Sequence, residues 1–387
     1  MAIIKPRGEA EQETKCNLLP SNDLETTTLL PSHAKIISKL PRNTRTQPGI
    51  RTAMDPDHAA TSPASCAASS SSSSSLIFLG TGCSGALPDA RCLTQPSTPP
   101  CAVCSTVLSL PPDQNPNYRC NTSLLIDYCH DDGTHKYILI DVGKTFREQV
   151  ILWFVRHKVP SIDSIILTHE HADAVLGLDD LWMVQPSSRN DIEQVPIFLT
   201  RFTMDSVATR LPYLVEHNQD EGDQVARAAQ LSWRIIKGDV DKPFVSSGLE
   251  LVPLPVRVNT AKCHAWRGLY LFRLLMFFFW GTCLGFLFGR RARVAYLSDV
   301  SRILPRTEHE ISKCGAGQLD LLILETNTLH GVSLDAVKRI CPKRALLIGM
   351  NHEFEHYREN QMLAEWSLRE GIPVQLAHDG QRIFIDL

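Results

Sequence analysis

From Leu76 onward the chain alternates short apolar runs with polar breaks. Ten runs have the length and composition of strands: Leu76–Leu79, Ser123–Asp127, Tyr137–Asp141, Ser164–Thr168, Pro196–Thr200, Leu249–Val256, Val294–Ser298, Leu319–Glu325, Ala345–Met350 and Val374–Ala377. Helical periodicity marks Thr145–His157, Asp205–Val215, Leu334–Ile340 and Asn360–Glu370 between them. Strands with helices interspersed predict an α/β layered domain with mixed sheets. No repeat at solenoid spacing is present. Residues 1–75 differ. They are rich in Ser, Thr and Pro and end in the run Ser69–Ser75. Such a composition cannot bury enough surface to offset its ordering entropy, so a disordered extension is predicted, with the folded domain over 76–387. Met54 offers a shorter alternative start, and the segment before it is a candidate for targeting.

One stretch breaks the pattern. Leu269–Phe288 is apolar apart from Arg273 and holds twelve Leu or Phe residues. Each contributes about −0.3 to −0.6 kcal/mol to membrane insertion, against about +3 for a central Arg. Taken alone the stretch is long enough to span a bilayer. A span there would put His169 and Asp299 on opposite sides of a membrane. If the two share a site, it cannot cross, and no membrane association is expected.

Composition narrows the class. Hydrophobic residues make up 43% of the 387, enough for a real core, and the net charge of −3 gives no electrostatic case for a nucleic-acid partner. Twelve cysteines without even spacing fit a reducing compartment, with thiols free or on zinc. No signal peptide is visible, and Glu9, Glu11 and Glu13 weigh against an organelle transit peptide. A cytoplasmic location is expected.

Chemistry concentrates at strand ends. Ile165–Asp173 reads I-I-L-T-H-E-H-A-D, an apolar strand ending in His169, His171 and Asp173. Imidazole and carboxylate at i, i+2 and i+4 suit a transition metal at a strand's C-terminal edge. Val294–Ser298 is followed by Asp299, and the strand at Ala345–Met350 by His352. A lone Asp or His after a strand is usually a cap or turn residue. Three apolar strands ending in ligand types suit a two-metal centre, with histidines for affinity and a carboxylate to bridge. Cys101-Ala-Val-Cys104 has the spacing of a zinc pair, with Cys92 nearby. Gly80-Thr-Gly82-Cys-Ser-Gly85 matches G-x-G-x-x-G after a strand, but Pro88 stands where a dinucleotide-binding helix should open. A tight turn lining a site is the expected role.

The series Thr168-His-x-His-x-Asp173, Ser298-Asp299 and His352 resembles the metallo-β-lactamase superfamily. More narrowly it is similar to a plant and fungal branch of hydrolase-like proteins related to the bacterial cyclic phosphodiesterase of phosphonate breakdown. Phe78–Gly85, Asn117–Asp127 and Ile140–Gly143 carry the rest of the likeness. The resemblance implies an αββα sandwich of two mixed sheets and hydrolysis by a metal-bound hydroxide. By position it implies His169 and His171 on one metal, Asp173 and His352 on a second, and Asp299 between them, the ions being zinc or manganese. Asp173 would also orient the nucleophile. It further implies a structural zinc on Cys92, Cys101, Cys104 and His356. The implied partners are a small-molecule or nucleotide-like phosphodiester and, in a homodimer, a second copy of the chain.

The departures bear on activity. The superfamily's histidine after the aspartate is replaced by Ala174, and the strand that should lead to another metal histidine continues Arg257-Val258-Asn259. A second break follows Glu325. A translated intron over 257–282 and a skipped segment at 326–333 would leave such traces. His264 or His330 are the residues available as substitutes. Phosphodiester hydrolysis is the leading expectation. The alternatives are a hydrolase-fold protein impaired by missing ligands, a tRNA 3′-processing nuclease and a thioester hydrolase.

Overall fold

The computed structural model describes residues 73–185, 193–216, 229–258, 282–326 and 330–387. The N-terminal extension before residue 73, His264 and the apolar stretch as far as Gly281 lie outside these residues, as does the His330 side chain.

Two mixed sheets carry the domain. The first runs in the order β15 (Arg382–Phe384), β1 (Ser75–Gly80), β2 (Ser123–Cys129), β3 (His135–Ile140), β4 (Ser164–Ile166), β5 (Val195–Leu199) and β6 (Leu231–Ile235). From β3 to β6 the pairing is parallel. The second runs β11 (Arg302–Ile303), β8 (Leu249–Arg257), β9 (Thr282–Phe288), β10 (Val294–Leu297), β12 (Leu321–Glu325), β13 (Ala345–Ile348) and β14 (Val374–Leu376), with β7 (Phe244–Ser246) paired to β8. Here β10, β12, β13 and β14 are parallel neighbours.

The period-2 pattern explains the layering, because successive side chains leave a strand on opposite faces. Leu76 and Phe78 enter one core with Leu346, Ile348 and Phe286, between the sheets. Ile77 and Leu79 face the other way, onto Phe146, Trp153 and Val207 of the helical segments Phe146–His157 and Arg201–Arg210. Ala345 and Leu347 face outward from the second sheet onto Val337 and Leu363 of helices His330–Ile340 and His356–Glu370. Helix, sheet, sheet, helix is the expected αββα order. Each fully buried Leu or Phe contributes about 1.5–3 kcal/mol relative to exposure, so the three cores dominate stability.

All ten expected strands form. Others arise where the sequence pattern was weak. β9 lies within the stretch Leu269–Phe288, where Cys283, Leu284 and Phe286 are completely buried between β8 and β10. A strand buried on both faces reads as unbroken apolar sequence, hence its likeness to a span. No described helix is long and apolar enough to cross a membrane.

Candidate metal centre

β4 ends at Ile166, and its parallel neighbours β3 and β5 direct the following loop over the sheet edge. Ligands gather beyond the carboxyl ends of parallel strands because the chain leaves the sheet there with free side chains and backbone groups. Asp141, one residue past β3, adopts a left-handed conformation with φ of 63°. Its carboxylate accepts the Thr168 N–H at 2.9 Å and the Thr168 hydroxyl at 2.8 Å. That hydroxyl lies 2.7 Å from His169 Nδ1. Since it already donates to Asp141, it accepts the Nδ1–H, and His169 presents Nε2 as its ligating atom.

The second sheet supplies the opposing group. Asp299 follows β10 and is also left-handed, with φ of 45°. Its Oδ2 lies 2.9 Å from His169 Nε2 and 3.0 Å from His171 Nδ1. Ligating atoms of His169, His171 and Asp173 lie within 4.8 Å of one another. The short helix Ala172–Val175 that carries Asp173 docks on the turn after β3: Val142 N donates to Ala174 O at 2.7 Å. Gly143 is required there, because a Cβ would sit 2.0 Å from Asp173 O.

The electrostatics fit a cation at this point. His169 is 4% exposed, and its buried Nε2 faces the Asp299 carboxylate. Burial opposes a charge on its ring, yet the Cys283 and Asp299 side chains beside it push its pKa well above the usual histidine range. Burial also raises Asp299, but the two imidazoles outweigh it and hold the carboxyl well below its ordinary value. One cationic charge between a carboxylate and two ring nitrogens is therefore favoured. A divalent ion meets that demand with donors of suitable chemistry, imidazole and carboxylate.

His352 lies elsewhere. Its Nδ1 is 3.0 Å from Cys92 Sγ, 3.9 Å from Cys101 Sγ and 3.8 Å from Cys104 Sγ, so it completes a cluster of three thiols and one imidazole. His356, expected with these cysteines from the resemblance, is not in the cluster; its Nε2 lies 3.0 Å from Asn360 Nδ2. The local fold explains the exchange. Glu355 caps the helix His356–Glu370 by accepting Arg358 N, which makes His356 the first helical residue. Upstream, the fully buried Arg119 donates to Asn351 O at 3.1 Å and Phe354 O at 2.9 Å, clamping the turn that carries His352. Burial lowers the Arg119 pKa to about 10, so it still carries its charge at neutral pH. Burial likewise raises Cys104 to about 12, so a cation is needed to hold it as a thiolate near neutrality.

The two departure positions are filled by core. Ala174 is 1% exposed in the first sheet's outer core and Val258 is 6% exposed in the second's. Glu325, at the end of β12, accepts Val300 N beside Asp299. Burial, then the Asp299 charge, raises its pKa to about 8. Gly349 makes room for it, since a Cβ there would stand 2.7 Å from Glu325 Cγ. Glu325 and Val300 also line an open cleft of about 540 Å³ with Ser301, Glu308, Ser333 and Arg339. The G-x-G-x-x-G segment forms a tight connection: Gly82 bridges to Asn121 on one sheet's side and to Met350 on the other's. A Cβ on Gly82 would lie 2.8 Å from Cys120 O. Asp141, Thr168, Cys283, Glu325 and Arg119 were not expected as site residues, though the first two stand inside the motifs that carry the resemblance.

A two-sheet sandwich with histidines and aspartates gathered at one sheet edge defines a metal-dependent hydrolase fold. The chain belongs to the beta-lactamase superfamily, whose domain model matches residues 136–349. A diphosphatase from the PhnP family is 24% identical, with a TM-score of 0.58 over 81% of this chain and 98% of that one. Zn(2+)-bound PqqB from Methylobacterium extorquens is 15% identical, with a TM-score of 0.55 over 80% of this chain and 100% of its own. Both likenesses concern the fold. A stretch of 180 residues is 29% identical to an octanoyltransferase of Porphyromonas gingivalis (strain ATCC BAA-308 / W83), covering 46% of this chain and 30% of that protein. The chain thus spans less than a third of that relative's length.

Proposed function

We propose that the chain is a metal-dependent hydrolase of phosphodiester bonds, with one catalytic ion on His169, His171, Asp173 and Asp299. A second, structural zinc lies on Cys92, Cys101, Cys104 and His352. The observation that carries the reading is the convergence of Asp299 Oδ2 on His169 Nε2 and His171 Nδ1, with Nε2 buried. When bound, a divalent ion there acidifies a water molecule and neutralises charge that develops on a phosphoryl oxygen. The chain's own residues prepare the site. Asp141 and Thr168 fix the His169 tautomer, Asp299 balances the imidazoles across the two sheets, and Asp173 would orient the attacking water. The small-molecule phosphodiester class is favoured over RNA because the net charge of −3 supplies no counter-surface for a polyanion.

The placement of His352 favours a second reading. With that histidine committed to the cysteines, the described residues give the catalytic ion a donor set suited to one ion rather than two. A mononuclear centre of this kind is a weakened hydrolase. Turnover of bis(4-nitrophenyl) phosphate by the purified full chain, reconstituted with Zn²⁺ or Mn²⁺, separates the two. Turnover abolished by Asp299→Ala supports the enzyme. A metal-loaded, folded chain with no turnover of phosphodiesters or thioesters leaves the impaired protein.

A further inference from the structure

We propose that Lys144 and Arg210 bind the phosphate group of the substrate, one on each side of the metal centre. This rests on the phosphodiester reading above and names the residues that hold the anion there. The need for them comes from charge. Asp173 and Asp299 cancel the charge of a divalent ion, and the Glu170 carboxylate adds a further negative charge 3.7 Å from His171 Nε2. A phosphodiester is itself an anion, so its countercharge has to come from outside the ligand group.

Two cations stand where that charge is needed. In the first sheet β3, β4 and β5 are neighbours, and the histidines follow β4. Lys144 follows Gly143, in the turn after β3 that packs on Asp173 O. Its Nζ donates to Ser84 O at 2.9 Å. The loop that carries Ser84 is itself fixed, because the fully buried Asn121 donates from Nδ2 to Cys83 O at 3.1 Å and to Ser84 O at 3.3 Å. On the other side, Arg210 ends the helix Arg201–Arg210, which follows β5. Its Nη1 donates at 2.7 Å to Glu170 O, the carbonyl between His169 and His171. Both cations are exposed. A carbonyl positions a cation without cancelling its charge. Other exposed cations face carboxylates, as in Lys136–Asp163, Lys338–Glu370 and Lys343–Asp320. Among the described residues neither Lys144 nor Arg210 has such a partner. An ammonium and a guanidinium each carry further N–H donors, and phosphate oxygens are their natural acceptors.

The test uses the full chain loaded with Zn²⁺ and two probes: diethyl phosphate, a monoanion, and triethyl phosphate, its neutral counterpart. Saturation-transfer NMR follows their binding, and bis(4-nitrophenyl) phosphate follows turnover. Lys144→Gln and Arg210→Gln should each weaken diethyl phosphate binding and raise the KM by about 10-fold, the scale of one hydrogen bond to a charged group. Triethyl phosphate binding and zinc content should stay unchanged, and Lys144→Arg should keep most of the affinity. Added salt should raise the wild-type KM more than that of Lys144→Gln, because exposed charges are screened. Variants that keep their zinc and the wild-type KM overturn the proposal and leave the phosphodiester reading standing. Loss of zinc in Arg210→Gln would make Arg210 a prop for the histidine loop and overturn the proposal for that residue. A zinc-loaded wild type that neither binds diethyl phosphate nor turns over the ester removes the phosphodiester reading, and this inference with it.

Discussion

Thr168 shows how much one hydroxyl can decide. It donates to Asp141 and receives the His169 Nδ1–H, so the ligand's tautomer rests on it. Removing the partner that orients a metal-bound histidine typically costs 10–100-fold in metal affinity. Thr168→Val should therefore weaken metal binding by about 10–100-fold with little loss of fold. Thr168→Ser should restore it, as competition with a chromogenic chelator would show; equal weakening by both variants would mean that the methyl group, not the hydroxyl, matters. His356 gives a prediction in pH. Burial, then the nearby Arg119 and His378 charges, lowers its pKa to about 4 from 6.5. The unfolded chain then takes up this proton first, so stability falls as pH drops from 6.5 towards 4. The difference corresponds to roughly 3 kcal/mol. Denaturant unfolding at about pH 7 and about pH 4.5 should show a smaller pH-dependent loss in His356→Gln than in the wild type.

Among the elements, the ligand residues were legible but their allocation was not. His352 and His356 both follow β13, one helical turn apart in sequence, and either could face the cysteines. What assigns them is the Glu355 cap and the Arg119 clamp, and Arg119 lies 232 residues before Asn351, whose carbonyl it holds. Strand periodicity marks ten strands because each has one or both faces in a core. It misses β7, β11 and β15, of three, two and three residues, because so few positions carry no period, and β6 because Leu231 alone of its five residues is buried. It misses β9 because burial on both faces erases alternation. The allocation is testable by zinc content: His352→Ala and Cys101→Ser should each lose one zinc per chain, and His356→Ala should keep it. A zinc lost only in His356→Ala would reverse the assignment. Gly143 tests how the helix Ala172–Val175 is seated. Gly143→Ala puts a Cβ 2.0 Å from Asp173 O, so the helix must move. Overpacking of this kind costs about 1–3 kcal/mol. A lower melting temperature and weaker metal binding should appear together.

Over the whole molecule, the fold was the most legible layer. Each strand's alternation sorts its residues between the inter-sheet core and a helix-covered face, and two such sheets admit few arrangements. The site was half legible. His169, His171 and Asp173 stand together in one motif, but Asp299 follows His171 by 128 residues and reaches it from the opposite sheet. Only the packing of the two sheets brings that carboxylate to the imidazoles. Cys283 and Glu325 carry no motif and emerge from packing alone. Together these placements give the described residues two separate groups able to hold an ion, one on the histidine–aspartate edge and one on the cysteines. The decisive measurement is metal per chain, by mass spectrometry of the elements, in the wild type, Asp299→Ala and Cys101→Ser after loading and desalting. Two ions are expected in the wild type and one in each variant, with phosphodiester turnover lost in Asp299→Ala. An ion count unchanged by Asp299→Ala would contradict a metal centre at the histidine–aspartate edge.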